Sequence, residues 1–452
     1  MAAVVSLAAL FFSSSATAAT SVTSFNKVTY TNQTSVANAA KYQFVVMGDG
    51  SGPVSQAAIA SLIASIHQND PQSRVLLYKN AVASPKDTTG IQGCAAWNPS
   101  LPSGGIPASW FLKSPSGAPL YNSQYGLYEL DPGNPQVQQA CVASAVSFAK
   151  RGGYDGVFWD SISSSLFWAN LSPSTCGSQS CSSNAAWDTA EASYVSNISA
   201  GLHAQKLLSI GNIAGGAMNW CCGGGPAYWQ SLQLAGLDGA AEESFTSGTN
   251  HLPVSTNQWK LGLANEAWNE ANGKYFLANG DVTGNRALNV YGLATLLLAA
   301  GGRSSWDTAS GNYYSGEYWF PEYDTALALG APLGPYSVQA NGLYVRKFQN
   351  GGVVVNPNAT AVPDPLYGTL AAHSGLILGP GLPAPGHRPT GSPGTPRVGS
   401  AASTAGAPGA QGGTRRGRGA SHRARGKHRH RHRHRKHLAH RHVPGRLWWL
   451  RP

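Results

Sequence analysis

Two short stretches of the chain have the same form. Residues 155–160 read DGVFWD and residues 238–243 read DGAAEE, so each opens on Asp-Gly and reaches a carboxylate five positions after the first. Asp155 and Asp238 stand where a strand would begin, and capping or ion pairing accounts for an acid there. Asp160 and Glu243 differ, because each closes a largely apolar run that reads as a buried strand. Two carboxylates over one cavity are what cleavage of a glycosidic bond needs. One protonates the leaving oxygen, and the other acts as base or nucleophile from the opposite side of the sugar ring. Asp160 is expected as the nucleophile or base and Glu243 as the general acid, with the reverse order open and Glu242 an adjacent rival for the second role.

The elements that must hold these acids follow from the periodicity. KYQFVVMGDG (41–50) predicts a first strand, followed by a helix with Ile59, Leu62, Ile63 and Ile66 on one face. RVLLYKN (74–80) predicts a second strand and YGLYELD (125–131) a third, with a helix after Asn134-Pro135 marked by Val137, Cys141, Ala145 and Phe148. YDGVFWD is the fourth, KLLSIGN (206–212) the fifth, LDGAAEE (237–243) the sixth, KYFLANG (274–280) the seventh and RSSWD (303–307) the eighth. Helical patterns separate most of them. The expectation is an α/β fold, a (β/α)8 TIM barrel over residues 40–335, in preference to an open doubly wound sheet. In such a barrel the C-terminal strand ends open onto the face where chemistry sits. A carboxylate at a strand tip then points into the mouth, and equal register two strands apart sets Asp160 and Glu243 at similar depth. Beyond Tyr336, YVRKF, the turn QNGG and VVVNP predict a hairpin within a small β appendage, residues 336–379.

Other predicted strand tips offer hydrogen-bonding groups for sugar hydroxyls: Asp49, Tyr78, Lys79, Asn80, Asp131, Asn212 and Asn279, beside Glu242. Trp159, Trp220 and Trp306 are expected to stack on a pyranose face.

Composition narrows the class. The net charge of +11 misleads, since sixteen of the 31 Lys and Arg lie from residue 381 onward, where there is no acid; 15 bases remain against 20 acids. Residues 380–414, rich in Pro, Gly, Ala and Ser, predict a linker, and the Arg/His-rich residues 415–452 a disordered tail suited to an anionic cell-surface polymer or a metal ion. Residues 1–19 have the form of a secretory signal peptide with an Ala16-Thr17-Ala18 cleavage site. With the six Cys this predicts a secreted or surface-attached protein with disulfides, Cys176 to Cys181 foremost. No stretch is long enough to span a membrane. No phosphate loop or dinucleotide fingerprint is present and the body ahead of the tail has no clustered His, so no cofactor, no catalytic metal and no specific nucleic-acid partner is expected; a carbohydrate is.

The ordered succession RVLLYKN, WFLK, ELDPGNP, GYDGVFWD, LDG-x-x-EE-x-F, ALALGAPLG and YVRKF-x-NGGVVVNP resembles hypothetical glycosyl hydrolase family 15, a group distinct from the glucoamylases of similar number. The resemblance spans residues 40–360. It implies a (β/α)8 catalytic domain acting on carbohydrate, carries Asp160 over as the strand-four catalytic residue, and leaves Glu242 and Glu243 as alternatives for the second. The competing expectation is a non-catalytic carbohydrate-binding protein on the same scaffold, held at the cell envelope by its basic tail.

Overall fold

The computed structural model describes residues 26–29, 36–48, 55–84, 93–94, 106–123, 127–163, 165–167, 169–214, 216, 225–248, 252–281, 285–309 and 319–379. The expected signal peptide, linker and tail, together with Asp49, Trp220, Cys221 and Cys222, lie outside the described residues.

One parallel sheet organises the chain. Its strands are β1 (Asn26–Thr29), β2 (Phe44–Met47), β3 (Arg74–Asn80), β4 (Gly156–Ser163), β5 (Leu208–Ala214), β6 (Gly239–Glu242), β7 (Tyr275–Asp281) and β8 (Ser304–Ala309), paired in that order. β1 lies beside β8 at the far end of the order, so the sheet curls into a barrel. Besides a single turn at Val36–Ala39, the described helices are α1 (Gln56–Asn69), α2 (Pro135–Gly152), α3 (Asn184–His203), α4 (Pro226–Leu234), α5 (Thr256–Ala271), α6 (Arg286–Ala299) and α7 (Pro321–Leu327). Local chemistry sets their ends. The side chains of Ser55, Asn134, Ser183, Ser255 and Asn285 each accept a backbone N–H in the first turn, and Ser255 with Gln258 forms a capping box. Gly153 ends α2 at φ 76°, a left-handed conformation that costs glycine little.

Seven of the eight expected barrel strands are found; the third is not. Leu127–Glu129 pairs antiparallel with Ala83–Ser84 and Tyr121–Asn122 in a small separate sheet, and β3 is hydrogen-bonded directly to β4. The eighth member is β1, which precedes residue 40.

Strand alternation splits the apolar residues into two cores. Phe44, Val46, Leu76, Tyr78, Phe158, Ile210, Ala241 and Leu277 fill the barrel interior. Val45, Met47, Val75, Leu77, Val157, Trp159, Ala240, Phe276, Ala278 and Trp306 face the helices. On that outer side α6 approaches closely: a Cβ on Gly292 would stand 2.1 Å from the Trp306 ring.

The appendage is a sheet of β9 (Ser337–Val338), β10 (Tyr344–Phe348), β11 (Gly351–Asn356) and β12 (Ser374–Leu378), with a ribbon of Val362–Asp364 and Gly368–Leu370. Phe348, Val353 and Val355 join the outer barrel core. Arg346 donates from Nη1 to the carbonyls of Leu297 and Ala300 at the C-terminal end of α6, at 2.9 and 2.7 Å. Disulfides join Cys94 to Cys141 and Cys176 to Cys181, the second as expected.

Candidate active site

The two Asp-Gly strands begin identically. The amide of Asp155 donates to the carbonyl of Val75, and its Oδ2 accepts the amide of Val75 at 2.7 Å and meets His67 Nε2 at 2.9 Å. The amide of Asp238 donates to the carbonyl of Ser209, and its Oδ2 accepts the amide of Ser209 at 2.8 Å and meets His203 Nε2 at 2.9 Å. Each Asp thus ties its strand to the preceding strand and to the last turn of the helix before that. One step further, the Asp155 carbonyl accepts the amide of Leu208 and the Asp238 carbonyl that of Tyr275. Both acids are structural, as their place at the strand feet suggested.

The repeat fixes what lies above. Gly156 pairs with Leu208, whereas Gly239 pairs with Ile210, so β6 is displaced by two residues relative to β4. A barrel whose shear equals its strand number staggers by about one residue per strand. Equal steps from Gly156 and Gly239 therefore end at equal height as far as Glu242, where β6 stops.

Asp160 is only 1% exposed. Tyr78 donates from its hydroxyl to Asp160 Oδ2 at 2.5 Å, and Asn212 donates from Nδ2 to Oδ1 at 2.9 Å. Both oxygens of the carboxylate act as acceptors, the behaviour of an ionised group. Immediately after it Ser161 adopts φ 66°, and the β4–β5 register slips between Trp159 and Ile162. A bulge at a barrel rim re-aims the residue beside it.

Glu242 and Glu243 part company. Glu242 is the last residue of β6, pairs with Ala278 and is 3% exposed. Its parity is that of the helix-facing Ala240, and a Cβ built on Gly216 would lie 2.6 Å from its Oε1. Glu243 follows the strand, in a turn, and is partly exposed.

Several expected binding residues stand elsewhere. Trp159 and Trp306 are fully buried on the outer face, Trp306 donating from Nε1 to Asn289 of α6, so neither presents a ring to the mouth. Lys79 alternates with Tyr78 and turns outward, its ammonium 4.2 Å from the ring centre of Phe148 on α2. Asp131 Oδ1 accepts the Ser180 hydroxyl and the Gly133 amide, which closes the turn into α2 outside the barrel. Asn80 Oδ1 accepts the amides of Val82 and Ala83 and shapes the turn after β3. Tyr78, Asn212 and Asn279 face inward. One inward acid was missed: Asp307, on β8 beside Asn279, and 5% exposed. Trp306 drew attention in its place, although alternation lets only one of two successive residues face the mouth.

Among the described residues no group of three or more His, Cys, Asp or Glu is placed to hold a metal ion, and no helix is long and apolar enough to cross a membrane.

A curled parallel sheet with acids at its C-terminal rim is the arrangement of a barrel enzyme. The description hypothetical glycosyl hydrolase family 15 matches residues 67–352, more than half of the chain, and the chain belongs to that family. It is therefore a glycoside hydrolase by family. Similar solved structures include the glycoside hydrolase domain of PelA from Pseudomonas aeruginosa, at 14% identity and TM-score 0.41, covering 65% of this chain and 96% of that one. The maltogenic alpha-amylase AmyB from Thermotoga neapolitana aligns at 9% identity and TM-score 0.46, covering 78% and 97%. A debranching enzyme from Nostoc punctiforme aligns at 15% and 0.41, covering 76% and 87%. No curated protein sequence matches the chain.

Proposed function

We propose that the protein is a secreted glycoside hydrolase that cleaves O-glycosidic bonds of a poly- or oligosaccharide with Asp160 and Glu243 as its carboxylate pair. Asp160 is the nucleophile or base and Glu243 the general acid. The observation that carries this reading is the pair of donors on Asp160. With Tyr78 on one oxygen and Asn212 on the other, Asp160 has the bonding of a fixed anion beneath the anomeric carbon. Glu243, in the turn that follows β6, is the more open of the two and suits proton donation to the leaving oxygen. Its greater exposure favours it over Glu242, which is 3% exposed. The two disulfides support an oxidising, extracellular location.

The test is release of reducing ends from a panel of soluble polysaccharides. Asp160→Asn and Glu243→Gln should each lower kcat by about 100-fold or more with the melting temperature kept, while Glu242→Gln stays within a few-fold. Full activity of folded Asp160→Asn would reject the assignment, and tight glycan binding without release by the wild type would favour the non-catalytic reading.

A further inference from the structure

The chain is fixed to β7 on both sides of Glu243. Before it, Glu242 is the ladder partner of Ala278. After it, the amide of Phe245 donates to the carbonyl of Asn279 at 3.1 Å. Between these anchors the chain leaving β6 advances from 242 to 245 while β7 advances only from 278 to 279. The excess is taken up by a turn of two residues, Glu243 and Ser244.

Phe245 anchors the turn with more than its amide. Its ring is fully buried in the core between barrel and helices. There its centre lies 5.3 Å from that of Phe276 and 6.5 Å from that of Trp306, both in edge-to-face arrangements. The two residues that follow stay on this outer side, where glycines leave room for them. A Cβ on Gly292 of α6 would stand 2.8 Å from Thr246 Oγ1, and one on Gly280 of β7 would stand 3.2 Å from Ser247 Oγ. The carbonyl of Thr246 accepts the amide of Val254, and the amide of Gly248 donates to the carbonyl of Leu252, so the segment folds back toward Ser255, the cap of α5. A lone backbone hydrogen bond at a strand tip opens locally at little cost, whereas drawing a ring out of a close-packed core does not.

Resting on the reading of Glu243 as the general acid, we propose that Phe245 is a positioning residue: its ring, locked behind the barrel wall, fixes the turn and with it the carboxyl of Glu243. Phe245 packs among helix-facing residues and acts only through Glu243. A general acid gives its proton to the leaving oxygen as the glycosidic C–O bond breaks, which requires the two atoms within hydrogen-bond reach. A misplacement of about 1 Å can cost such a step about 100-fold. Loosening the turn therefore weakens acid catalysis first, while Asp160, held on β4 by Tyr78 and Asn212, keeps its place.

The test uses the full chain and two substrates: a polysaccharide of the panel that it cleaves, and the 2,4-dinitrophenyl glycoside of an oligosaccharide released from it. The dinitrophenolate departs without needing a proton, so it reports on the site with the acid's contribution removed. Phe245→Leu, which keeps an apolar side chain in the core, should lower kcat on the polysaccharide about tenfold, change KM far less, and recover most of that loss on the dinitrophenyl glycoside. Phe348→Leu removes an equally buried ring in the appendage and should keep kcat on both substrates. Wild-type kcat in folded Phe245→Leu, equal losses on both substrates, or the same pattern in Phe348→Leu would overturn the proposal. Glu243→Gln is measured beside them. If it keeps full activity, or if the wild type cleaves no glycan, the acid reading fails by itself. Amide hydrogen exchange over residues 243–247 then decides the anchor: protection at least about tenfold lower in Phe245→Leu than in Phe348→Leu supports it, and equal protection overturns it.

Discussion

The strand running into Asp160 and the strand running into Glu243 are copies at one end and strangers at the other. At the feet, Asp155 and Asp238 make the same bonds to a backbone amide and to a histidine closing a helix, atom for atom. At the tips, one strand bulges at Ser161, just past an acid held by Tyr78 and Asn212, while the other stops in a turn with two glutamates of unequal exposure. The lower rim of such a barrel serves stability and the upper rim chemistry. Here that division of labour can be read within a single repeated unit.

The contrast can be broken by substitution. The largest effect is expected at the tip of β4, where neighbours one residue apart should fail in different ways. Asp160→Asn should cost about 10²–10⁴ in kcat with folding intact, whereas Trp159→Ala should cost about 3–5 kcal/mol in denaturant unfolding as a cavity opens among the helices. Loss of turnover without loss of stability in Trp159→Ala would show that its ring serves the mouth. Next comes Tyr78→Phe, which removes the hydroxyl donor from Asp160 Oδ2 and should lower kcat more than it raises KM. At the feet, Asp155→Ala and Asp238→Ala each strip a partner from a backbone amide and should destabilise by about 1–3 kcal/mol, with kcat nearly unchanged. Being separate copies, the two should add in the double variant, and strong non-additivity in unfolding curves would mean that the copies are coupled.

The smallest effect concerns Glu266 on α5, fully buried, whose carboxyl is pushed well above its usual range by burial and by the charge of Glu270, with Ser304 and Arg346 opposing. The unfolded chain releases this proton from about pH 4.3 upward while the folded chain retains it, so its contribution to stability declines as pH rises above that value. Glu266→Gln should flatten the dependence and leave the protein at least as stable at neutral pH. A steeper dependence in the variant would reverse the sign.

Much of this was legible in the sequence because the pattern repeats. Asp155 and Asp238, five residues before their partner acids, announced two equivalent strands, and the apolar runs announced seven of the eight in the barrel. The exception is instructive: NKVT (26–29) has a single apolar side chain and offers no signal, while YGLYELD alternates as a half-buried strand should and its Leu127–Glu129 part is one, in a different sheet. Periodicity gives a strand its faces but not its partner. The site was less legible because a strand buried on both sides is apolar throughout, which hides parity. Yet the rule of two was sufficient, once Asp160 was taken as inward, to turn Trp159 away and, by the same logic, to prefer Tyr78 over Lys79 and Asp307 over Trp306. Bonds such as Asn80 to the amides of Val82 and Ala83 depend on a turn that no residue type declares.

Arg346 bears on how the molecule comes into being. Its guanidinium answers carbonyls at the end of a helix synthesised some fifty residues earlier, and β12, the strand lying against that helix, emerges later still. During translation α6 must therefore wait, open-ended, for the sheet that finishes it. The nascent chain is most vulnerable to misassembly in that interval.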